Sequence, residues 1–234
     1  MKQSTHVTGD VLLHGSGDAY YLAPIVIGRR ILPDAEQAAL HEGLIAAAKE
    51  TYSEAAVDVP DERHATDLGS VPTFPDGVWR ERYGAAVGIW HRVPTNNILN
   101  LVEKEPVIRL RKYIAELHRE VSTLAGEDVT ESEFLESWIQ FYKDGDRKVL
   151  HNHERYDFPF MENMWVGTYY IDDGAPDATM KYSGVLSFRI RNENYLFRPQ
   201  PGLLLLWPYD LIHEVHPFYG SRHRIVINFH IRSI

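Results

Sequence analysis

The chain of 234 residues contains no cysteine, which excludes disulfides, thiolate nucleophiles and cysteine-ligated zinc or iron–sulfur centres together. Any resident metal must be held by nitrogen and oxygen donors. No uninterrupted apolar run approaches the roughly 20 residues that a membrane-spanning helix needs. The opening MKQSTHVTGDVLLHGSG has neither the apolar stretch nor the cleavage pattern of a secretory leader. A cytoplasmic location with no membrane partner is the expectation. Positive charge is also scarce: 24 Lys and Arg stand against 33 Asp and Glu, a formal net of -9. Such a field repels phosphate backbones, so no nucleic-acid partner is expected. The basic run RLRKY at 109–113 is diluted by Glu103, Glu105, Glu116 and Glu120 and reads as a solvated helix face. Linkers rich in Gly, Ser or Pro are missing too. One domain over 1–234 is the expectation, with 1–130 as helical and loop support and 131–234 as the β core.

What is present divides into two halves. LPDAEQ can start a helix, with Asp34 as cap and Gln37 returning the hydrogen bond, and Leu40, Leu44, Ala47, Ala48 and Tyr52 continue as one apolar stripe. His41 falls on its exposed side. From Pro106 a second stripe runs through Leu110, Ile114, Leu117 and Val121. Between them, from about 53 to 100, glycines and prolines argue for loops and short elements that wall a pocket, with Trp79, Trp90, Arg92, Asn96 and Asn97 as candidate substrate contacts. From SEFLESWIQFYKDG onward the period changes to two. MWVGTYYI, YSGVLSFRI, YLFRP, GLLLLWP and RIVINFHI are strands parted by turn sequences such as DDG and PQPG. Helices followed by many short strands fit a mainly β protein, a two-sheet antiparallel barrel or sandwich braced by N-terminal helices.

Five residues ask for a joint explanation: Tyr142, His151, His153, His213 and Arg224. His151 and His153 are two apart, so on a strand both imidazoles face one way, as a chelate requires. His213 follows GLLLLWP and could arrive from the opposite sheet. Imidazole suits iron, zinc, nickel or copper, although HxH also occurs on ordinary exposed strands. His216 is a second candidate ligand or a pocket residue. Arg224 opens RIVINF, where Arg224, Val226, Asn228 and His230 share one face and Ile225, Ile227 and Phe229 the other. An arginine there can clamp a carboxylate; Arg222 has the same parity and could replace it. His230 reads as structural or exposed.

At these residues the chain resembles the iron(II)- and 2-oxoglutarate-dependent oxygenase superfamily, in the pattern of its prolyl-hydroxylase-like branch. The likeness lies in YKDGDRKVLHNH, then WVGTYYIDDG, then RPQPGLLLLWPYDLIHEVHPFYGSRHRIVINFHI, over about 134–232. It implies a double-stranded β-helix, the jelly-roll or cupin-like fold. It further implies Fe(II), 2-oxoglutarate and O2 as cofactors and cosubstrates. His151 and His213 would bind iron, Arg224 the distal carboxylate of 2-oxoglutarate, and Tyr142 would hydrogen-bond the cosubstrate. The implied reaction oxidises a C–H bond of a small-molecule substrate, with hydroxylation the usual outcome, and releases succinate and CO2.

One position departs from the pattern. The family's HxD or HxE is His151-Asn152-His153 here. Three readings follow: a site of His151, His153 and His213; a carboxylate brought in from Asp157, or from Glu154 through a bulge; or only two protein ligands. A three-histidine cupin-like dioxygenase that needs no 2-oxoglutarate is the rival enzyme, and it leaves Arg224 and Tyr142 without a role. A non-catalytic β-sandwich module lined by Trp165, Trp207 and Tyr209 is the rival from another class.

Overall fold

In the computed structural model the described residues are 6–8, 25–55, 98–153 and 163–234. The helix foreseen from LPDAEQ is α1, Asp34–Ala55. Gln37 Nε2 donates to Asp34 Oδ1 at 3.2 Å and to Leu32 O, just ahead of the helix, at 2.7 Å. Leu40, Leu44 and Ala47 are buried. His41 is not on an exposed side: it is partly buried, with Nε2 2.7 Å from Tyr169 Oη. The stripe is wider than its apolar residues, because a polar neighbour at its edge can face the sheet once it finds a hydroxyl partner. A short α2, Ile98–Leu101, leads into α3, Glu105–Ala125. Pro106 sits in the first turn of α3, where no amide hydrogen is needed. Gly126 ends it in the left-handed region at φ 85°, its amide donating to Thr123 O. Leu110, Ile114, Leu117 and Val121 are buried, as the spacing predicts.

Ten strands are described: β1 (His6–Thr8), β2 (Ile25–Ile31), β3 (Ser132–Tyr142), β4 (Lys148–His151), β5 (Met164–Asp172), β6 (Leu186–Ile190), β7 (Glu193–Phe197), β8 (Leu203–Pro208), β9 (His213–Val215) and β10 (Arg224–Ser233). They form a six-stranded sheet in the order β1-β2-β8-β5-β10-β3 and a four-stranded sheet in the order β4-β9-β6-β7. Every pairing is antiparallel. This is the mainly β, two-sheet architecture expected from the alternating runs. β1 and β2 were not expected, since reading helices before strands leaves IVIGRRI out. Two adjacent arginines hide its alternation, yet Arg30 is buried because α3 neutralises it through Glu116 at 3.2 Å and Glu120 at 2.7 Å. Those two glutamates, read from the sequence as part of a solvated face, bind helix to sheet.

Two apolar layers result. One lies between the helices and the larger sheet, where Leu44, Leu110, Ile114 and Leu117 meet Trp165, Leu204, Leu206, Ile227 and Phe229. The other lies between the two sheets, where Tyr142, Val166, Leu205, Trp207 and Val226 face Leu186 and Phe188. Odd and even positions of β5, β8 and β10 therefore enter different layers. The functional side chains belong to the second.

Candidate metal and cosubstrate site

Antiparallel pairing of β4 with β9 sets His151 directly opposite His213, and their ring centroids are 4.3 Å apart. His153 lies two residues beyond the end of β4, so shared strand parity is not what places it. Its amide donates to Tyr209 O at 2.9 Å, and its ring lies parallel to that of His213 at 5.1 Å. One nitrogen from each of the three imidazoles falls within 4.8 Å of the others, a group able to hold a metal ion. His151 Nδ1 is 2.7 Å from Val149 O, and His213 Nδ1 is 2.8 Å from Leu211 O. A carbonyl oxygen only accepts, so both Nδ1 atoms carry hydrogen and both Nε2 atoms present lone pairs. Burial, reinforced by the neighbouring Lys148, lowers the His151 pKa to about 4. Burial first, and then the mutual proximity of the imidazoles, holds His153 and His213 well below the usual range. The rings are thus kept neutral, the form that binds metal.

The second pole is Arg224, which opens β10 opposite Tyr142 of β3. It is 1% exposed, and its guanidinium carbon stands 3.6 Å from the centroid of the Tyr142 ring. Nη1 donates to Gly184 O at 2.7 Å, while Nε has no acceptor among the described residues. Gly184 adopts φ 62°, and a Cβ there would come within 2.6 Å of Nη1, so only glycine lets the backbone approach. Among the described residues no carboxylate pairs with Arg224. A buried guanidinium without a counter-ion is costly, and an anionic ligand would answer it. The Tyr142 pKa is pushed up to about 12 by burial, against the opposing effect of Arg224, so its phenol stays protonated. Gln140 Nε2 and Trp207 Nε1 are two further buried donors without acceptors among the described residues. The donor set fits the expected groups: convergent neutral imidazoles for a divalent transition metal, and a buried cation with unmatched donors for a dicarboxylate.

Several sequence expectations need revision. Arg222 shares parity with Arg224 but precedes the strand, and its Nη2 pairs with Asp172 Oδ1 at 3.1 Å on an exposed surface. It does not reach the buried pole. His216 is drawn away from the cluster, stacked on Tyr182 at 5.6 Å and 3.9 Å from Glu214. Asp157 and Glu154 lie outside the described residues, as do Trp79, Trp90, Arg92, Asn96 and Asn97. His230, read as structural or exposed, is instead buried against the site. Its Nε2 is 2.8 Å from His153 Nδ1, and its Nδ1 is 2.7 Å from Glu136 Oε1. The signal was available, since His230 falls on the same face of β10 as Arg224. Trp138, also missed, lies edge-on to His230 with ring centroids 5.3 Å apart.

The family model "Putative 2OG-Fe(II) oxygenase" matches residues 136–230, the segment that holds Glu136, Tyr142, the three imidazoles, Arg224 and His230. That segment is similar to the 2OG-Fe(II) oxygenases. No curated protein sequence matches the chain. The chain shares its fold with a Pseudomonas putida prolyl-4-hydroxylase, at 15% identity and TM-score 0.53, over 89% of this chain and 92% of that one. AviO1 from Streptomyces viridochromogenes is similar at 11% identity and TM-score 0.52, over 88% and 89%. SnoK, an alpha-ketoglutarate-dependent carbocyclase from nogalamycin biosynthesis, is similar at 10% identity and TM-score 0.56, over 88% and 79%. The common architecture is the double-stranded β-helix, with the helices of this chain packed on the outer face of the larger sheet.

Proposed function

We propose that this protein is a 2-oxoglutarate-dependent oxygenase that hydroxylates an unactivated C–H bond of a small organic molecule, with Fe(II) held by His151, His153 and His213 and 2-oxoglutarate held by Arg224 and Tyr142. The observation that carries the reading is Arg224, a buried cation with an unmatched Nε and no carboxylate partner among the described residues, set in the same inter-sheet layer as three converging imidazoles. A metal site that took its organic substrate directly would have no need of it.

Each residue has a task that follows from its chemistry. The three histidines supply neutral nitrogen donors, where two histidines with a carboxylate would place a negative charge directly on the metal. Arg224 supplies a charge-assisted hydrogen bond to the distal carboxylate, with Gly184 O and the Tyr142 ring fixing the direction of its guanidinium. Tyr142 remains a hydroxyl donor at neutral pH. Phe188 and Trp207, with ring centroids 5.9 and 5.0 Å from that of His213, and Trp138, 6.4 Å from His153, wall the metal side with aromatic surface that excludes water. When bound, iron and cosubstrate supply the oxidising power, 2-oxoglutarate and O2 being converted to succinate and CO2 as a hydroxyl is placed on the substrate. Aromatic walls suit an organic substrate with apolar surface, and the likeness in fold to SnoK supports a small-molecule reaction.

The test is an oxygen-free titration of the Fe(II)-loaded protein with 2-oxoglutarate, followed in the visible spectrum. A saturable charge-transfer band is expected, and in its presence oxygen should yield succinate. Tight iron binding with no response to 2-oxoglutarate would favour a three-histidine dioxygenase instead. Absence of iron binding would remove both enzyme readings of the histidines.

A further inference from the structure

The place at which this chain departs from its family's pattern has a partner behind it. His153 stands where a carboxylate ligand is expected, and a carboxylate is present one imidazole farther out, at Glu136. Glu136 Oε1 lies 2.7 Å from His230 Nδ1. A carboxylate only accepts, so that nitrogen carries hydrogen, and in neutral His230 the lone pair is then on Nε2. His230 Nε2 lies 2.8 Å from His153 Nδ1, which must donate to it. The hydrogen on His153 is thereby assigned to Nδ1, and its lone pair to Nε2.

His153 Nε2 is 3.3 Å from His213 Nε2. The same reasoning, applied to the bond from His213 Nδ1 to Leu211 O, puts the His213 lone pair on Nε2 as well. Two lone pairs then face each other with no hydrogen between them, and an electrophile satisfies both. The relay is held on its other sides too. Trp138 lies edge-on to His230 at an interplanar angle of 86°, and His153 and His230 are themselves perpendicular, at 89°. The side chain of His230 is 5% exposed and that of Glu136 19%, so water competes weakly for the pair. Strand pairing fixes the geometry, since Glu136 and His230 are direct partners across β3 and β10.

We propose that Glu136 and His230 are positioning residues that lock His153 into its metal-binding orientation and, through two hydrogen bonds, polarise it so that its Nε2 gains part of the electron density that a direct carboxylate ligand would have brought. The inference rests on the three-histidine reading of the metal site and adds to it the reason why a neutral third ligand suffices. Ligands oriented in this way by a carboxylate behind an imidazole bind metal more tightly, and loss of such support typically weakens binding about 10- to 100-fold.

The experiment uses Co(II) as the probe, added without oxygen to the full chain in wild-type form and as His230→Leu, His230→Gln and Glu136→Gln, and followed through the visible ligand-field bands. Wild type should bind saturably. His230→Leu removes the acceptor and should weaken binding by roughly 10- to 100-fold, whereas His230→Gln, whose amide oxygen can accept from His153 Nδ1, should recover most of the loss. Glu136→Gln keeps an acceptor for His230 but no charge, so it should fall between wild type and His230→Leu and shift the bands. A folded His230→Leu protein with wild-type affinity and spectrum would overturn the relay and leave the metal site standing. Should His230→Leu fail to fold, Glu136→Gln decides: binding and bands identical to wild type would refute the polarisation. If wild type itself shows no saturable Co(II) spectrum, the three-histidine reading falls, and the relay with it.

Discussion

The two faces of β10 are built from one ten-residue run and do opposite things. Outward, toward the helices, Ile225, Ile227, Phe229 and Ile231 enter an apolar layer in which Phe229 and Ile227 are completely buried. Inward, Arg224, Val226, Asn228 and His230 face the other sheet, and three of these four are polar. Among the described residues Arg224 lacks an acceptor for Nε, while His230 and Asn228 are tied into side-chain pairs with Glu136 and Gln140. The outer face gains from what it excludes. The inner face carries unmatched polar groups, a cost that a ligand can offset and a purely structural face would not retain. Stability and chemistry are thus separated by the pleat of a single strand.

The sharpest break in that comparison is Phe229→Ala on the outer face. It removes a buried ring and should lower unfolding stability by about 3–5 kcal/mol, read by urea denaturation, while the protein that remains folded binds Co(II) with unchanged affinity. Loss of metal binding from folded protein would show that the faces are not independent.

The outer layer also holds a titratable group, His118 of α3, packed edge-on against Trp165 with Nδ1 2.8 Å from Ser132 Oγ. Burial lowers its pKa to about 4, with Glu127 acting in the opposite direction. The unfolded chain takes up a proton below about pH 6.5 and the folded chain does not until about pH 4, so stability falls as pH drops through that window. The loss from this one residue should reach about 3 kcal/mol at the acid end. Denaturation curves at pH 7 and pH 4.5 check it, and His118→Gln should flatten part of the difference whether or not metal is present.

On the inner face, Arg224→Met should reverse the pattern of Phe229→Ala. Removing a buried cation that no carboxylate neutralises should leave the unfolding midpoint nearly unchanged, while affinity for 2-oxoglutarate, titrated against the Fe(II) protein, falls roughly 10- to 100-fold. A large loss of stability instead would mean that Arg224 serves the fold. The smallest effect is expected for Asn228→Ala, which removes the hydrogen bond from Nδ2 to Gln140 Oε1 at 3.0 Å. That should cost about 1 kcal/mol of stability and leave the Co(II) affinity as in wild type.

The legible parts of this protein were those with a period. The spacing of Leu110, Ile114, Leu117 and Val121 specified a helix face because burial on a helix repeats every three to four residues, and RIVINFHI specified which side chains go together because a strand repeats every two. The HNH stretch and His213 were legible as a group that could converge, and their nitrogens do. Less legible were contacts made across elements by polar residues. IVIGRRI concealed a strand because the charge on Arg30 is neutralised by glutamates some 90 positions away in the chain. Arg222 and Arg224 shared a parity, but only one of them lies inside the strand. His41 was read as exposed, and His230 as structural or exposed, because an isolated histidine carries no sign of its partner.

By itself the sequence determined the chemistry available: no thiolates, three candidate imidazole ligands, two candidate arginines at the head of a strand, and the alternation that builds two sheets. Only the tertiary structure decided how those groups are used. It set His151 opposite His213, left Arg224 without a carboxylate while giving one to Arg222, and placed Glu136 behind His230 behind His153. The physical reason is that periodicity is a local property of the backbone, whereas a hydrogen bond or a ligand cluster depends on register between strands far apart in the chain.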